Sequence, residues 1–225
     1  MCGRYTLTLD DRLLGELFGI SPEAAGDFEY SPNYNICPGS QVPVIYSENG
    51  AGVSMRLMRW GLIPRWAKAP SIGYKMINAR AETVHQKPAY KVPFARQRCL
   101  VPADGFYEWQ KDNGGKIPYR ITLPEETPFT FAGLWDRWIS PEGERILSFS
   151  IVTVEAGEGV REIHNRMPVI LADNSSRDAW LDMGTPVGEL KELLTSYTGE
   201  LVSYRVSTLV NSPRNNSPQL IERIP

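Results

Sequence analysis

ILSFSIVTV, residues 146–154, is built from Ile, Leu, Val, Phe, Thr and Ser. A run dominated by β-branched and aromatic side chains reads as a strand. Working outward, QVPVIYS (41–47), VSMRLMR (53–59), KIPYRITL (116–123) and FTFAGLW (129–135) share that character and are separated by Gly, Pro and Asn punctuation. Helical periodicity is confined to LDDRLLGELFG (9–19), with Leu13, Leu14, Leu17 and Phe18 assigned to one face, and to SSRDAWLDM (175–183) and VGELKELLTSY (187–197). Eighteen prolines are too many for a helical bundle, and YSPNYNICPGS, WGLIPRW and VPADGFYEW read as irregular chain lining a site. The predicted class is α+β: a single domain over residues 1–225, with a mostly antiparallel, barrel-like sheet core and peripheral helices.

The chain has 225 residues, 42% of them hydrophobic, enough to bury a substantial core. No apolar run is long enough to span a bilayer, and the N-terminus lacks the layout of a signal peptide. A soluble cytoplasmic protein is expected. Three widely spaced cysteines, Cys2, Cys37 and Cys99, fit a reducing compartment better than a disulfide scaffold. No CxxC or HExxH spacing occurs, so no metal site is expected. The net charge of −2 conceals an asymmetry: between Arg59 and Arg98 stand nine Lys or Arg residues and one acid, Glu82. Such segregation is the electrostatic footprint of a phosphate-bearing partner, and the interleaved Trp60, Trp66 and Tyr74 favour single-stranded nucleic acid, whose bases stack on aromatic rings.

Cys2 follows the initiator methionine, which is normally excised before a small side chain. Its loss gives one residue both an α-amine, with an ordinary pKa of about 7.7 to 8.0, and a thiol near about 8.5. Asn78 in KMINARAET, Glu108 in DGFYEWQ and His164 in EIHNRMPVIL are polar residues in settings where polarity is unexpected. Each has an ordinary alternative: a helix cap for Asn78, a solvent-facing strand position for Glu108, a satisfied core residue for His164. Glu108, flanked by Phe106, Tyr107 and Trp109, is predicted to have its pKa raised by desolvation and to deliver a proton near neutral pH. Taken together the four supply a nucleophile, an acid, an amide and an imidazole.

MCGRY, YNICPGS, RWGLIPRW, INARAET, VPADGFYEW, SIVTVEA and IHNRMPVIL, in this order and over nearly the whole chain, resemble the SRAP (SOS response-associated peptidase) family of abasic-site processing proteins. The resemblance implies Cys2 as the catalytic cysteine, freed by removal of Met1, with Asn78, Glu108 and His164 completing the site. It implies Arg4 and Arg80 on the phosphates flanking the lesion, and Asn35, Trp60, Trp66 and Thr153 as further DNA contacts. The implied substrate is an abasic site in single-stranded DNA or at a single/double-strand junction, captured as a thiazolidine by a monomer without cofactor or membrane. Autopeptidase and weak lyase activity accompany that chemistry.

Two other classes fit parts of the same pattern. Glutamine amidohydrolases with an N-terminal nucleophile also begin Met-Cys-Gly, although they do not need a basic segment. A non-catalytic binder of single-stranded nucleic acid needs the basic segment and not Cys2. The SRAP reading makes a geometric demand that neither alternative makes. Cys2, Asn78, Glu108 and His164 must line one cleft, bordered by Arg4, Arg80 and at least one of Trp60 and Trp66.

Overall fold

The computed structural model describes residues 2–48 and 52–224. In chain order its elements begin with β1 (Tyr5–Leu7), helix α1 (Asp11–Phe18), β2 (Asn33–Ile36), β3 (Gln41–Ser47), β4 (Val53–Trp60), β5 (Asn78–Arg80) and α2 (Pro88–Arg96). There follow β6 (Arg98–Ala103), β7 (Gly105–Asp112), β8 (Gly115–Thr122), β9 (Phe129–Ile139), β10 (Arg145–Glu155), β11 (Arg166–Pro168) and β12 (Ile170–Leu171). Helices α3 (Asn174–Leu181) and α4 (Val187–Glu192) and strand β13 (Val202–Arg205) complete the set.

Five strands close into a barrel. β3 pairs antiparallel with β4 and β6, β6 with β9, and β9 with β10. β10 returns to β4 in parallel register, Ser148 opposite Arg59 and Phe149 opposite Trp60. Residues 146–154 therefore form the closing strand of the ring. β5, β11 and β12 extend it. The second sheet is open and antiparallel, in the order β13-β8-β7-β1-β2. Tyr5 and Phe106 from this sheet pack edge to face on Phe131 of the barrel, with ring centroids 5.6 and 6.1 Å apart, so the two sheets share one core.

The VPADGFYEW stretch is extended rather than irregular. It runs as β6 out of the barrel, turns at Asp104 and continues as β7 in the second sheet. That crossing is held by polar groups out of contact with water. The Asp104 carboxylate accepts hydrogen bonds from the Thr6 hydroxyl and from both the amide and the hydroxyl of Thr8. Asp104 also meets Arg120 at 3.3 Å, both side chains being almost fully buried. Arg120 is further bound to the Tyr204 hydroxyl at 2.7 Å and to Glu126 at 2.9 Å. A charge so buried is tolerable only when paired and hydrogen-bonded in this way.

The helices lie at the periphery. Asp10 caps α1 by accepting from the amide of Leu13 at 2.8 Å, and Gly19 ends it in the left-handed conformation at φ 63°. The helix buries a narrower face than the sequence predicts. Leu14 is fully buried, while Leu13 and Leu17 are 39% and 48% exposed, because the pair lies a step round the helix from Leu14 and Phe18. Helical pattern also overruns at 187–197, where α4 stops at Glu192. Arg98, one of the nine cations of the basic stretch, is buried. Its guanidinium donates to carbonyls of Phe94, Ala95, Trp180 and Asp182, tying down the ends of α2 and α3. No helix among the described residues is long and apolar enough to cross a membrane.

Candidate active site

β1 lies between β2 and β7, with Tyr5 opposite Phe106 and Thr6 opposite Gly105. The amide of Tyr107 donates to the Arg4 carbonyl at 2.9 Å, and continuing the register backwards along β1 carries Cys2 to the Glu108 end of β7. Cys2 is fully buried, its thiol 3.9 Å from the Arg4 carbonyl. Burial raises the thiol pKa far above its ordinary value, and the negative charge of Glu108 raises it further. The thiol is therefore held neutral beside a carboxyl.

Asn78 comes to the same place from the barrel. It opens β5, which runs parallel to β10 with Asn78 opposite Ile151. The Asn78 side-chain amide donates to the Cys2 carbonyl at 2.7 Å. Its own backbone is fixed from several sides. The indole N–H of Trp60 donates to the Ile77 carbonyl at 2.9 Å, the amide of Ile151 to the same oxygen at 3.0 Å, and the Tyr90 hydroxyl to the Asn78 carbonyl at 3.1 Å. The turn leading in (Pro70–Lys75) rests directly on the backbone. A Cβ on Gly61, whose φ is 121°, would lie 2.6 Å from the Gly73 carbonyl oxygen, so glycine is required for this approach. The Asn78 Oδ1 atom is buried with no hydrogen-bond partner among the described residues, leaving an acceptor at the site.

Glu108 sits on β7 and is 2% exposed. Strand alternation gives it the face of Phe106, toward the barrel, whereas Tyr107 and Trp109 pack together on the opposite face with the C-terminal segment. Its surroundings differ in that respect from the aromatic nest expected, yet the consequence is the one expected. Desolvation at the junction of the sheets raises its pKa to about 7. His164 precedes β11, its Nδ1 3.9 Å from Glu108 Oε2. That nitrogen lies 3.0 Å from the amide and 3.2 Å from the carbonyl oxygen of Arg166, so the backbone of one residue fixes the orientation of the ring. Burial lowers the His164 pKa, keeping the imidazole neutral.

Two cavities meet at His164. One, of about 650 Å³, is lined by Glu108, Trp109, Lys111, Lys116 and Arg161 among others. The second, of about 750 Å³, is lined by Arg80, Glu155, Arg161 and Arg166. Cys2 and Asn78 form one linked pair and Glu108 and His164 a second; of the four only Glu108 and His164 line these cavities, while Cys2 is fully buried behind them, so the single cleft expected around all four is not open in this form.

The expected DNA contacts divide by exposure. Arg80 and Trp66 are exposed, Trp66 at 59%. Arg4 is half-buried; it donates to Asn35 Oδ1 at 2.7 Å and the Val210 carbonyl at 2.6 Å, and lies 5.8 Å over the Trp109 ring. Asn35 is a brace rather than a surface group. It is buried, its oxygen taken by Arg4 and its amide by the carbonyls of Ser212 and Asn215. Thr153 is also buried, bonded through its carbonyl and hydroxyl to Arg166 at 2.6 and 3.3 Å. Trp60 is not a surface wedge. It is 1% exposed, packs edge to face on Tyr5 at 5.1 Å and serves the backbone before Asn78. The motifs do not single out Arg166, which joins Glu82, Thr153 and His164, or the two lysines of the β7–β8 hairpin. The lysines had a visible signal in KDNGGK, a tight-turn sequence bracketed by cations next to Glu108.

The profile of the SOS response associated peptidase (SRAP) family matches residues 1–213. The chain belongs to the SRAP family. It is 44% identical over 225 residues to the abasic site processing protein YoqW of Bacillus subtilis, covering 99% of each chain. It is 38% identical to the abasic site processing protein HMCES of Xenopus tropicalis, covering 87% of this chain and 67% of the relative. Among solved structures, a protein from Bacteroides thetaiotaomicron superposes with a TM-score of 0.85 at 27% identity, over 99% of this chain and the whole of the other. The SRAP fold thus extends across the closed barrel and the open sheet together, and the two pairs of site residues sit where these meet.

Proposed function

We propose that the protein processes abasic sites in DNA, capturing the ring-opened sugar as a thiazolidine on Cys2 once Met1 has been removed. The observation that carries this reading is the Asn78 to Cys2 hydrogen bond at 2.7 Å beside a carboxyl whose pKa lies at about 7. The names of the similar proteins YoqW and HMCES supply the substrate.

In the open form of an abasic deoxyribose C1′ is an aldehyde. The α-amine of Cys2 adds to it, and loss of water gives a Schiff base. The thiol then adds to the imine carbon while its proton passes to nitrogen, closing a five-membered ring. Closure is intramolecular and correspondingly favourable. It also removes the electrophilic imine that promotes β-elimination, so the strand is shielded. Protonated Glu108 gives a proton to the ring oxygen on opening and to the departing hydroxyl on dehydration. The His164 ring hydrogen-bonds the opened sugar and assists proton transfer, and Asn78 fixes the nucleophile. Arg4 and Arg80 neutralise flanking phosphates, and Trp66 stacks beside the lesion, favouring a single strand or a junction. Amine, thiol, carboxyl and imidazole supply every proton and bond, so a monomer at damaged DNA in the cytoplasm needs no cofactor. Met1 removal by the protein itself, and strand cleavage when the Schiff base eliminates before closure, are the accompanying peptidase and lyase activities.

The test is incubation with single-stranded DNA carrying one abasic site, followed by heating and denaturing electrophoresis. The wild type should give a heat-stable shifted band and Cys2→Ala none; Cys2→Ser should give at most a labile adduct. A form that retains Met1 should be as inactive as Cys2→Ala, since an amide nitrogen does not condense with an aldehyde. Crosslinking at the normal rate by that form would overturn the mechanism. Ammonia release from glutamine would point instead to an amidohydrolase.

A further inference from the structure

The β7–β8 hairpin places two positive charges against each other. Lys111 lies directly opposite Lys116 in its register, and the Asp112 to Gly115 pairing beyond leaves only Asn113 and Gly114 at the turn. The pairing of β7 with β8 runs unbroken from Phe106 to Asp112, and this register holds the two lysines opposite each other. Like charges directly opposite destabilise a hairpin. Both side chains are exposed, and neither makes a hydrogen bond or ion pair among the described residues.

Their position gives this arrangement a use. Both line the cavity of about 650 Å³ that contains Glu108 and His164, together with Trp109, Arg161 and the opposing acid Glu162. Arg80 lines the neighbouring cavity, on the other side of His164. Lys116 acts electrostatically on both Glu108 and His164, and Lys111 on His164, so the pair lies within Coulombic reach of the site.

We propose that Lys111 and Lys116 form a phosphate clamp, gripping the backbone of the DNA strand on the side of the lesion away from Arg80. The clamp rests on the reading of this site as one that processes abasic DNA, and adds to Arg4 and Arg80 a further anchoring point. A phosphodiester between the two ammonium groups relieves their mutual repulsion and fixes the strand from both sides of the reacting sugar. Phosphate contacts of this kind position the substrate without selecting sequence.

The experiment measures affinity for an undamaged single-stranded oligonucleotide over a range of salt concentrations, so that binding is read without chemistry. Each phosphate contact on a single strand contributes about 0.7 to the slope of log affinity against log salt. The double variant Lys111→Gln/Lys116→Gln should therefore bind more weakly at low salt, with a slope shallower by about 0.7. Lys111→Arg/Lys116→Arg, which keeps both charges, should restore the slope, and the exposed Lys191→Gln on α4 should leave it at the wild-type value. Melting temperatures no lower than wild type at low salt would show that weaker binding is not unfolding. An unchanged slope in the double Gln variant, with crosslinking by the wild type intact, overturns the clamp alone. A shallower slope in a protein whose wild type fails to crosslink supports the clamp and overturns the capture reading.

Discussion

The side-chain amide of Asn78 donates to the carbonyl oxygen of Cys2 at 2.7 Å across 76 residues of sequence. One partner belongs to the open sheet and the other to the barrel. The bond fixes the first residues of the chain against the strand that extends the closed ring, and Asn78→Ala should slow adduct formation by about tenfold, the equivalent of one hydrogen bond of about 1.4 kcal/mol. Asn78→Asp should be slower still, because a carboxylate faces the carbonyl. Time courses of the heat-stable adduct decide it, and an Asp variant at the wild-type rate would refute the positioning role.

Glu108 yields a prediction of opposite sign for stability and activity. Its pKa rises from an ordinary 4.5 to about 7 in the folded chain, mainly through burial. Folding therefore favours the protonated carboxyl, and stability is lost as pH rises from about 4.5 through about 7. Above that range the buried charge costs on the order of 3 kcal/mol. Glu108→Gln should melt higher than wild type at pH 8, with the gap closing toward pH 5. Adduct formation by the wild type should decline above about pH 7 as the acid loses its proton, and the Gln variant should be slow and lack that decline. Equal melting temperatures at pH 8 would show that the carboxyl is not desolvated as described.

Two tryptophans of one motif should separate cleanly. Trp60→Phe keeps an aromatic ring but removes one of the two donors to the Ile77 carbonyl, so it should lower stability by about 0.5 to 1.5 kcal/mol and slow adduct formation, with affinity for undamaged DNA little altered. Trp66→Ala should weaken that affinity and leave the melting temperature near wild type, since the ring is 59% exposed. The reverse pattern in binding and melting assays would reassign both.

Asp104→Asn tests the crossing between the sheets. The substitution removes the buried one of the two carboxylates paired with Arg120, leaving only the half-exposed Glu126, and breaking such a buried pair costs about 3 to 5 kcal/mol. Chemical denaturation should show a midpoint shift of that size, and a shift near zero would mean that Glu126 and Tyr204 suffice for Arg120.

The parts of the fold legible in the sequence are those whose signal is local. QVPVIYS, FTFAGLW and ILSFSIVTV fall within β3, β9 and β10, because long runs of β-branched and aromatic residues need no neighbour to declare them. β1 and β5, with three residues each, are held by their partners, and nothing in YTL or NAR foretells them. The Pro-rich look of VPADGFYEW conceals two strands for a related reason, since the crossing at Asp104 is stabilised by Thr6, Thr8 and Arg120 from elsewhere in the chain. At the site, Cys2, Asn78, Glu108 and His164 were identifiable as residue types in motifs of a family. The fate of Trp60, Asn35 and Thr153 was not, because whether a polar or aromatic side chain faces a ligand or braces a neighbour depends on contacts that sequence order does not contain.

The brevity of β1 carries a mechanical consequence. On the proposed capture chemistry a DNA strand is attached at residue 2, and tension on it enters the protein just ahead of a three-residue element that lies between β2 and β7 and is secured by bonds such as Tyr107 N–H to Arg4 and Asp104 N–H to Thr6. The barrel behind it is a closed ring that includes two strands of eleven residues each. The load falls first on the short pairings of β1 with its two neighbours, and reaches the ring through them.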